Sequence, residues 1–548
     1  MSPRHQRVRN MVILLVPLIL SAYTHLWNPL GFPSIHIDEA HYMRRAMLVL
    51  EGMGPQESAA SGYPRTYDHP YFGQLFLGGI LALIGFPNIL NPSSELQSIE
   101  SLHLVPRLLM GLLALVDTLL IFKISERRYG MTVAFIASVL FAVMPMTWVL
   151  RRVYLDTILM PLMLSSILFA VYLRRNDNLT KTDGATESDK YKIGQGTLIL
   201  LSGIFLGLAI YTKAPAFTMM PLVGSLVFFN SKKRLESLGI WLIPVIMIPL
   251  LWPLYSVVVG QTDLWLEWVL WQTDRNRPLS LSLTDFFKID PLITVIGIAG
   301  FIWTGLKKDF FSLIWVAPFL IFSYFIGWVQ YFHLIVIFPA FCIASGVVID
   351  SLQKFIVQRY RKSQRVKPLS HVTFLIVAIF GLIISSILIN SDVNSSYYKI
   401  HAAIAANISK ISTGNGGQDG NVTLIGSHWW VWASYWITKH VLNNDYKLID
   451  PHFDPRFELP VTTKNVIFID DEKFIDSISR KVPSDNLLTI RQIHGESITT
   501  ATFFDNVTSN DNGIYPNNIF SIMINNENHP RGEIIIKRNF QSPEQVMR

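Results

Sequence analysis

Two carboxylates stand side by side in the stretch HIDEAHYMRRA, residues 36–46, as Asp38 and Glu39, with Arg44 and Arg45 one to two turns beyond them. A carboxylate in such a stretch has two uses. It can close an ion pair on a capped amphipathic helix, or it can take a proton from a hydroxyl group as that hydroxyl attacks. Helical spacing would put Asp38, Tyr42 and Arg45 on one face, at i, i+4 and i+7, and turn Glu39 toward Met43. Tyr42 and Arg45 are then candidates to orient a reacting group or Asp38 itself. A metal ion would need further hard ligands. His36 and His41 are the nearest, and no second acidic cluster accompanies them, so the expected chemistry requires neither a metal nor another cofactor.

Other charged residues sit beside apolar runs. YDHPYFGQLFLGG, residues 67–79, carries His69, which either lies at an interface or helps to seat a polar head group. VPRLL brings Arg107 to the start of an apolar run, and RRVYLDTILM holds Arg151, Arg152 and Asp156. The Arg151/Asp156 spacing suits a pair that stitches two helix ends together. GLAIYTKAPAF sets Lys213 at a helix break made by Pro215, where a lysine beside freed backbone N–H groups makes a good phosphate ligand. Asp117 lies inside an apolar run and calls for a structural hydrogen bond rather than a proton relay. The tryptophan-rich HWWVWASYW, residues 428–436, could stack on sugar rings but better suits an interfacial belt or a domain core.

These residues need a scaffold, and the composition says which. Half of the 548 residues are hydrophobic and only 16% are charged, well below the roughly 25% of soluble proteins, so the chain is built for lipid. The net charge of +7 comes from short basic clusters between apolar runs, the pattern of loops flanking membrane spans, and not from a nucleic-acid-binding face. Cys342 is the only cysteine, which excludes an internal disulfide and any CxxC motif. Arg4, Arg7 and Arg9 precede the first apolar run without a cleavage site after it, as in a retained signal anchor.

Apolar runs long enough to cross a membrane fall at residues 11–27, 104–122, 133–149, 155–173, 238–259, 310–328, 334–349 and 372–388, with shorter ones at 198–211, 217–229 and 292–306. The glycine-broken run at 72–90 is assigned by charge. If it lies in the outer interface, the clusters Lys123/Arg127/Arg128, Arg174/Arg175, Lys232/Lys233/Arg234, Lys307/Lys308 and 354–367 all fall on the cytoplasmic side; if it spans, all of them flip outward. The expectation is therefore about eleven spans, with residues 28–103 forming one long outer loop. Arg44, Arg45, Arg65, Arg107, Arg151, Arg152, Lys213, Arg275 and Arg277 then oppose the charge rule on the outer side and suggest an anionic partner there.

Residues 1–390 thus read as a membrane domain and residues 391–548 as a soluble outer α/β domain. Its β-branched runs are NVTLIG, YKLID, NVIFID, IFSIMI and GEIIIK; VWASYWITKHVL and DEKFIDSISRKV have helical spacing. Sequons at Asn394, Asn407, Asn421 and Asn506 suit the outer side, although another at Asn178 falls in an inner loop.

Taken in order, these motifs resemble the GT-C glycosyltransferases of the protein O-mannosyltransferase and aminoarabinose-transferase group. The likeness runs from residue 11 to about residue 339. The group's DEAxY wording matches Asp38 to Tyr42, and its HPPLGK matches HPYFGQ with His69, Pro70 and Gly73 kept and Tyr71 and Gln74 departing. Its arginine at the outer start of the next span matches Arg107, its RxxxLD is similar to the stretch from Arg151 to Asp156, and its GLAxxTK matches residues 207–213; YFHLIVIFPA is a looser match.

The resemblance implies a polytopic α-helical GT-C fold in the cell membrane, with the active site and carboxy-terminal domain extracytoplasmic. A mannose or other hexose would pass from a polyprenyl- or dolichyl-phosphate donor to an acceptor hydroxyl of a protein, lipid or glycan, with inversion. It further implies Asp38 as base, Glu39 as its assistant, and Arg107, Arg151, Lys213 and His69 at the donor phosphate. An activated donor makes a nucleotide site unnecessary. A transporter or flippase for an anionic lipid-linked substrate would also want outer cations, but it predicts polar residues deep in several spans, and Asp117 is the clear case of one.

Overall fold

The computed structural model describes residues 3–55, 67–173, 194–274, 277–359 and 372–414, together with five strands beyond them. Arg65, Arg174, Arg175, Asn178, Arg275, Asn421, the basic stretch 360–367, the IFSIMI run and the expected helices at 431–442 and 471–482 lie outside the described residues, as does the tryptophan-rich 428–436.

Helix α1 (Pro3–Leu26) leads through an irregular segment into α2 (Ile37–Leu50) and α3 (Phe72–Leu83), and α4 (Leu96–Tyr129) follows. Gly130, at φ +93°, forms the entire link from α4 to α5 (Met131–Val143), a backbone turn that a side chain would strain. A 3-10 turn, Pro145–Arg151, leaves α5 at 67° because Pro145 cannot continue the helix, and α6 (Leu155–Tyr172) returns through the core. Helix α7 (Gln195–Thr212) stops at Lys213, whose extended backbone precedes the 3-10 turn Ala214–Met219 and α8 (Met220–Asn230).

The chain continues through α9 (Arg234–Met247), α10 (Leu251–Val258), α11 (Thr262–Asp274), α12 (Leu279–Ile289), α13 (Pro291–Leu306), α14 (Phe311–Ile326), the 3-10 turn Tyr331–Ile337, α15 (Phe338–Arg359), α16 (Val372–Ile389) and α17 (Ser395–Gly414).

Six helices among the described residues are long and apolar enough to cross a membrane, and eight if each of two bent pairs counts as one span; four shorter apolar helices accompany them. The most enclosed of the six, Tyr331–Arg359, packs against α5 and α13, whereas Ile243, Val258 and Phe325 turn large apolar side chains outward, as lipid-facing helices do. At Gly111 the backbones of α1 and α4 approach so closely that a Cβ would strike the His25 carbonyl. That contact draws Arg107, one turn earlier on α4, to the segment joining α1 to α2.

Beyond α17 the described strands are β1 (Val422–Gly426), β2 (Tyr446–Ile449), β3 (Asn465–Asp470), β4 (Ile498–Val507) and β5 (Glu527–Lys537), ordered β2-β1-β3-β5-β4. β1 runs parallel to β2 and β3, and β5 antiparallel to β3 and β4. Strand β4, ITTATFFDNV, escapes the sequence reading because its threonines form no continuous apolar run.

Helix α17, which follows residue 390, packs back onto the first helices. Tyr397, Tyr398, Ile400 and Ile404 of α17 are buried in one apolar cluster with residues of α2, α3 and α4.

Candidate active site at the start of the second helix

Helix α2 begins at His36, whose ring accepts the Asp38 backbone N–H while the Glu39 carboxylate accepts the His36 backbone N–H at 3.2 Å. Both acids sit in the first turn, where the exposed N–H groups favour negative charge. Their fates then diverge.

Glu39 is buried and receives Arg107 in a forked pair: Nε donates at 3.1 Å to one oxygen and Nη2 at 2.7 Å to the other. The Val153 N–H adds a bond at 3.1 Å. Burial would raise the Glu39 carboxyl, but the Arg107 charge and hydrogen bonds, with Arg152 and the Val153 N–H, hold it below the usual range.

Asp38 keeps a third of its side chain exposed, and its nearest described ionic partner is the His36 Nδ1 at 3.6 Å. Burial pushes its carboxyl up; the opposing charges of His36, His41, Lys213 and His69 outweigh that and bring it below the usual range. Burial lowers both His36 and His69 to about 4, so near neutral pH these two rings are uncharged.

The arginines do other work than the sequence suggests. Arg107 also donates from Nη1 to the Pro29 and Pro33 carbonyls at 2.8 and 2.9 Å, so four of its five N–H groups are engaged within the protein. Arg151 donates to the carbonyls of Thr24, Trp27 and Asn28, capping the carboxy-terminal end of α1, where helical carbonyls lack partners. Arg107 and Arg151, expected at the donor phosphate, are both buried and bind the chain's own acceptors.

Two expected pairings also change. Asp156 is paired with Lys213 at 2.7 Å rather than with Arg151. Arg45 is paired with Asp68 at 2.9 Å rather than with Asp38.

Tyr42 is buried with its ring 6.0 Å from that of His69. Burial raises its phenol well above the ordinary value, and the charges of Asp38, Asp68 and Asp156 push the same way, so Tyr42 stays protonated and able to donate. Asp38, Tyr42, His69, Lys213 and Asp156 thus come together, with Glu39, Arg107 and Arg151 behind them as scaffold.

Several contributors take roles that the sequence reading does not give them. Arg152 binds the Ser34 carbonyl and hydroxyl and the Tyr154 hydroxyl. Tyr154 and Phe332 stand against His36 with ring centroids 5.6 and 6.0 Å away, which brings the loosely matching YFHL stretch to the site. The sequence reading counts Arg152 among the cations facing an anionic partner, and only adjacency to His69 points to Asp68. Asp117 corrects another expectation: it is fully buried in α4, and among the described residues neither carboxyl oxygen has a hydrogen bond. No group of three histidine, cysteine or acidic side chains is arranged to hold a metal among the described residues.

The chain has the fold of the GT-C glycosyltransferases of known structure. It is similar to ArnT from Cupriavidus metallidurans in the apo state, at 13% identity and a TM-score of 0.52, over 87% of this chain and 95% of that one. It is also similar to the oligosaccharyltransferase AglB from Archaeoglobus fulgidus, solved with an inhibitory peptide and a dolichol-phosphate, at 11% identity and a TM-score of 0.50, over 84% of this chain and 69% of that one. No family model and no curated protein matches the sequence.

Proposed function

We propose that the protein is a membrane glycosyltransferase that moves a sugar, mannose or another hexose, from a polyprenyl- or dolichyl-phosphate donor to an acceptor hydroxyl at the extracytoplasmic face. The observation that carries this reading is the contrast in the first turn of α2. Glu39 is locked to Arg107, while its neighbour Asp38 keeps an accessible, ionised carboxylate beside Lys213.

In the reaction, the acceptor O–H gives its proton to the Asp38 carboxylate as its oxygen bonds to the anomeric carbon. The bond from that carbon to the donor phosphate breaks, and the electron pair leaves with the polyprenyl phosphate. A single displacement inverts the anomeric centre. Lys213 meets the charge that develops on the leaving phosphate, and the Tyr42 hydroxyl can orient the acceptor. The dolichol-phosphate bound to the similar archaeal enzyme supports a lipid-phosphate donor, and its inhibitory peptide supports a protein acceptor.

The same reading places eleven spans in the membrane, the eight long or bent ones with α1, α8 and α14, and leaves α3 in the outer interface. It makes residues 391–548 an outer α/β domain and requires no cofactor. The test is to incubate the membrane-embedded protein with a panel of polyprenyl-phosphate sugars and find, by mass spectrometry, which donor is consumed and what gains mass. Failure to consume any donor under conditions that support a known transferase overturns the proposal.

A further inference from the structure

Asn394 stands in an Asn-Ser-Ser sequence that looks like a glycosylation acceptor, yet only 2% of it is exposed. Its Nδ2 donates to the carbonyls of Leu30 at 2.7 Å and Pro33 at 2.8 Å, with a longer contact to Gly31 at 3.3 Å. Its Oδ1 accepts the Ile35 N–H at 3.0 Å. All of these bonds go to residues 30–35, immediately before the helix that carries Asp38.

That stretch has no helical or sheet ladder, so its buried backbone groups must find side-chain partners. Arg107 answers Pro29 and Pro33, Arg152 answers Ser34, and Asn394 answers Leu30, Pro33 and Ile35. Asn394 alone of these three comes from beyond α16. The junction is reinforced around it: the Val393 N–H donates to the Gly31 carbonyl at 2.9 Å, and the Asn28 side chain donates to the Ile389 carbonyl at 2.9 Å.

We propose that Asn394 is a positioning residue for Asp38, and that the junction between α16 and α17 sets where the acid of the first outer loop stands. This rests on the glycosyltransferase reading given above. Asp38 lies between two anchors in sequence: Glu39, held by Arg107, and Ile35, held by Asn394. Arg107 and Arg152 hold the Pro33 and Ser34 carbonyls of the same segment, and the grip on the Ile35 N–H fixes the residue next to the helix cap. A residue at the root of the outer domain thereby becomes part of the assembly of the site.

The experiment uses the full chain in membranes and the polyprenyl-phosphate hexose consumed in the panel assay. Asn394→Ala should lower kcat by about 10- to 100-fold, the scale of a small misplacement of a reacting group, with the donor KM within about threefold. In an Asp38→Asn background the same change should add no further loss, because the group it positions is already gone. Asn28→Gly, which keeps the positive φ at that position but removes the side-chain tie, provides a second variant and should lower kcat in the same sense even if Asn394→Ala fails to fold.

Wild-type kcat in a folded Asn394→Ala or Asn28→Gly protein overturns the proposal, as do losses that multiply independently with that of Asp38→Asn. If Asp38→Asn itself keeps full activity, the assignment of the base fails and this inference falls with it. If Asp38→Asn is inactive while Asn394→Ala is not impaired, only the positioning role falls.

Discussion

Glu39 and Arg107, 68 positions apart, meet in a forked ion pair of 3.1 and 2.7 Å that is buried beneath the accessible carboxylate of Asp38. The pair joins α2 to α4, and the same guanidinium holds two carbonyls of the segment between α1 and α2. One arginine thus fixes the helix on which Asp38 stands.

Arg107→Ala should therefore act on stability first. It leaves the buried Glu39 charge without its counter-ion and the Pro29 carbonyl without its arginine donor, which costs about 3–5 kcal/mol. Thermal unfolding in detergent should show a marked loss of Tm, whereas a direct phosphate ligand would raise the donor KM with the Tm unchanged.

Asp38→Asn tests the base. The carboxylate is a third exposed and not engaged as Glu39 is, so the variant should fold with nearly wild-type Tm. Transfer should fall by about 10²- to 10⁴-fold, the usual contribution of a positioned general base. Full transfer by this variant sinks the mechanism.

Lys213 and Asp156 allow electrostatics at the donor to be separated from packing. Lys213→Met alone leaves Asp156 as a lone buried charge and should destabilise the protein as well as raise the donor KM. Adding Asp156→Asn should recover most of the lost Tm and none of the donor affinity. Recovery of donor affinity in the double variant would show that Lys213 serves the fold and not the phosphate.

Acid should loosen the surroundings of the site in two stages. His36 and His69 titrate near 4 in the folded protein against 6.5 as free side chains, so between those values the unfolded chain binds more protons and stability falls as pH falls. Asp68, lowered to about 2 beside Arg45 and His69 although burial opposes it, keeps its contribution above 3.8 and loses it as pH falls toward 2. Tm measured against pH should decline first below about 6.5, and His69→Gln should flatten that decline; an unchanged slope in the variant would remove His69 from the account.

Asn394 should be found unmodified even where a glycosylation machinery has access to the outer face, because its amide is enclosed and hydrogen-bonded. Mass spectrometry of the peptide containing residues 394–396 decides this, and a glycan there would contradict the packing.

What the amino-acid order determines by itself is the lipid-facing character of the chain, the positions of its apolar helices and the neighbourhood of its chemistry. Those signals are local: runs of apolar residues, flanking basic clusters, and an acidic pair at a helix start. Asp38, His69 and Lys213 stand out in that way, each marked by a helix start, a proline or a broken helix. Which cation meets which anion does not. Arg107 and Arg151 looked free only because their partners, Glu39 and the end of α1, lie 68 and more than 120 positions away. Asn394 looked like a surface sequon because its acceptors lie some 360 positions earlier. A buried polar group must be matched by whatever the fold brings beside it, and that matching between distant segments is the part that only the tertiary structure decides.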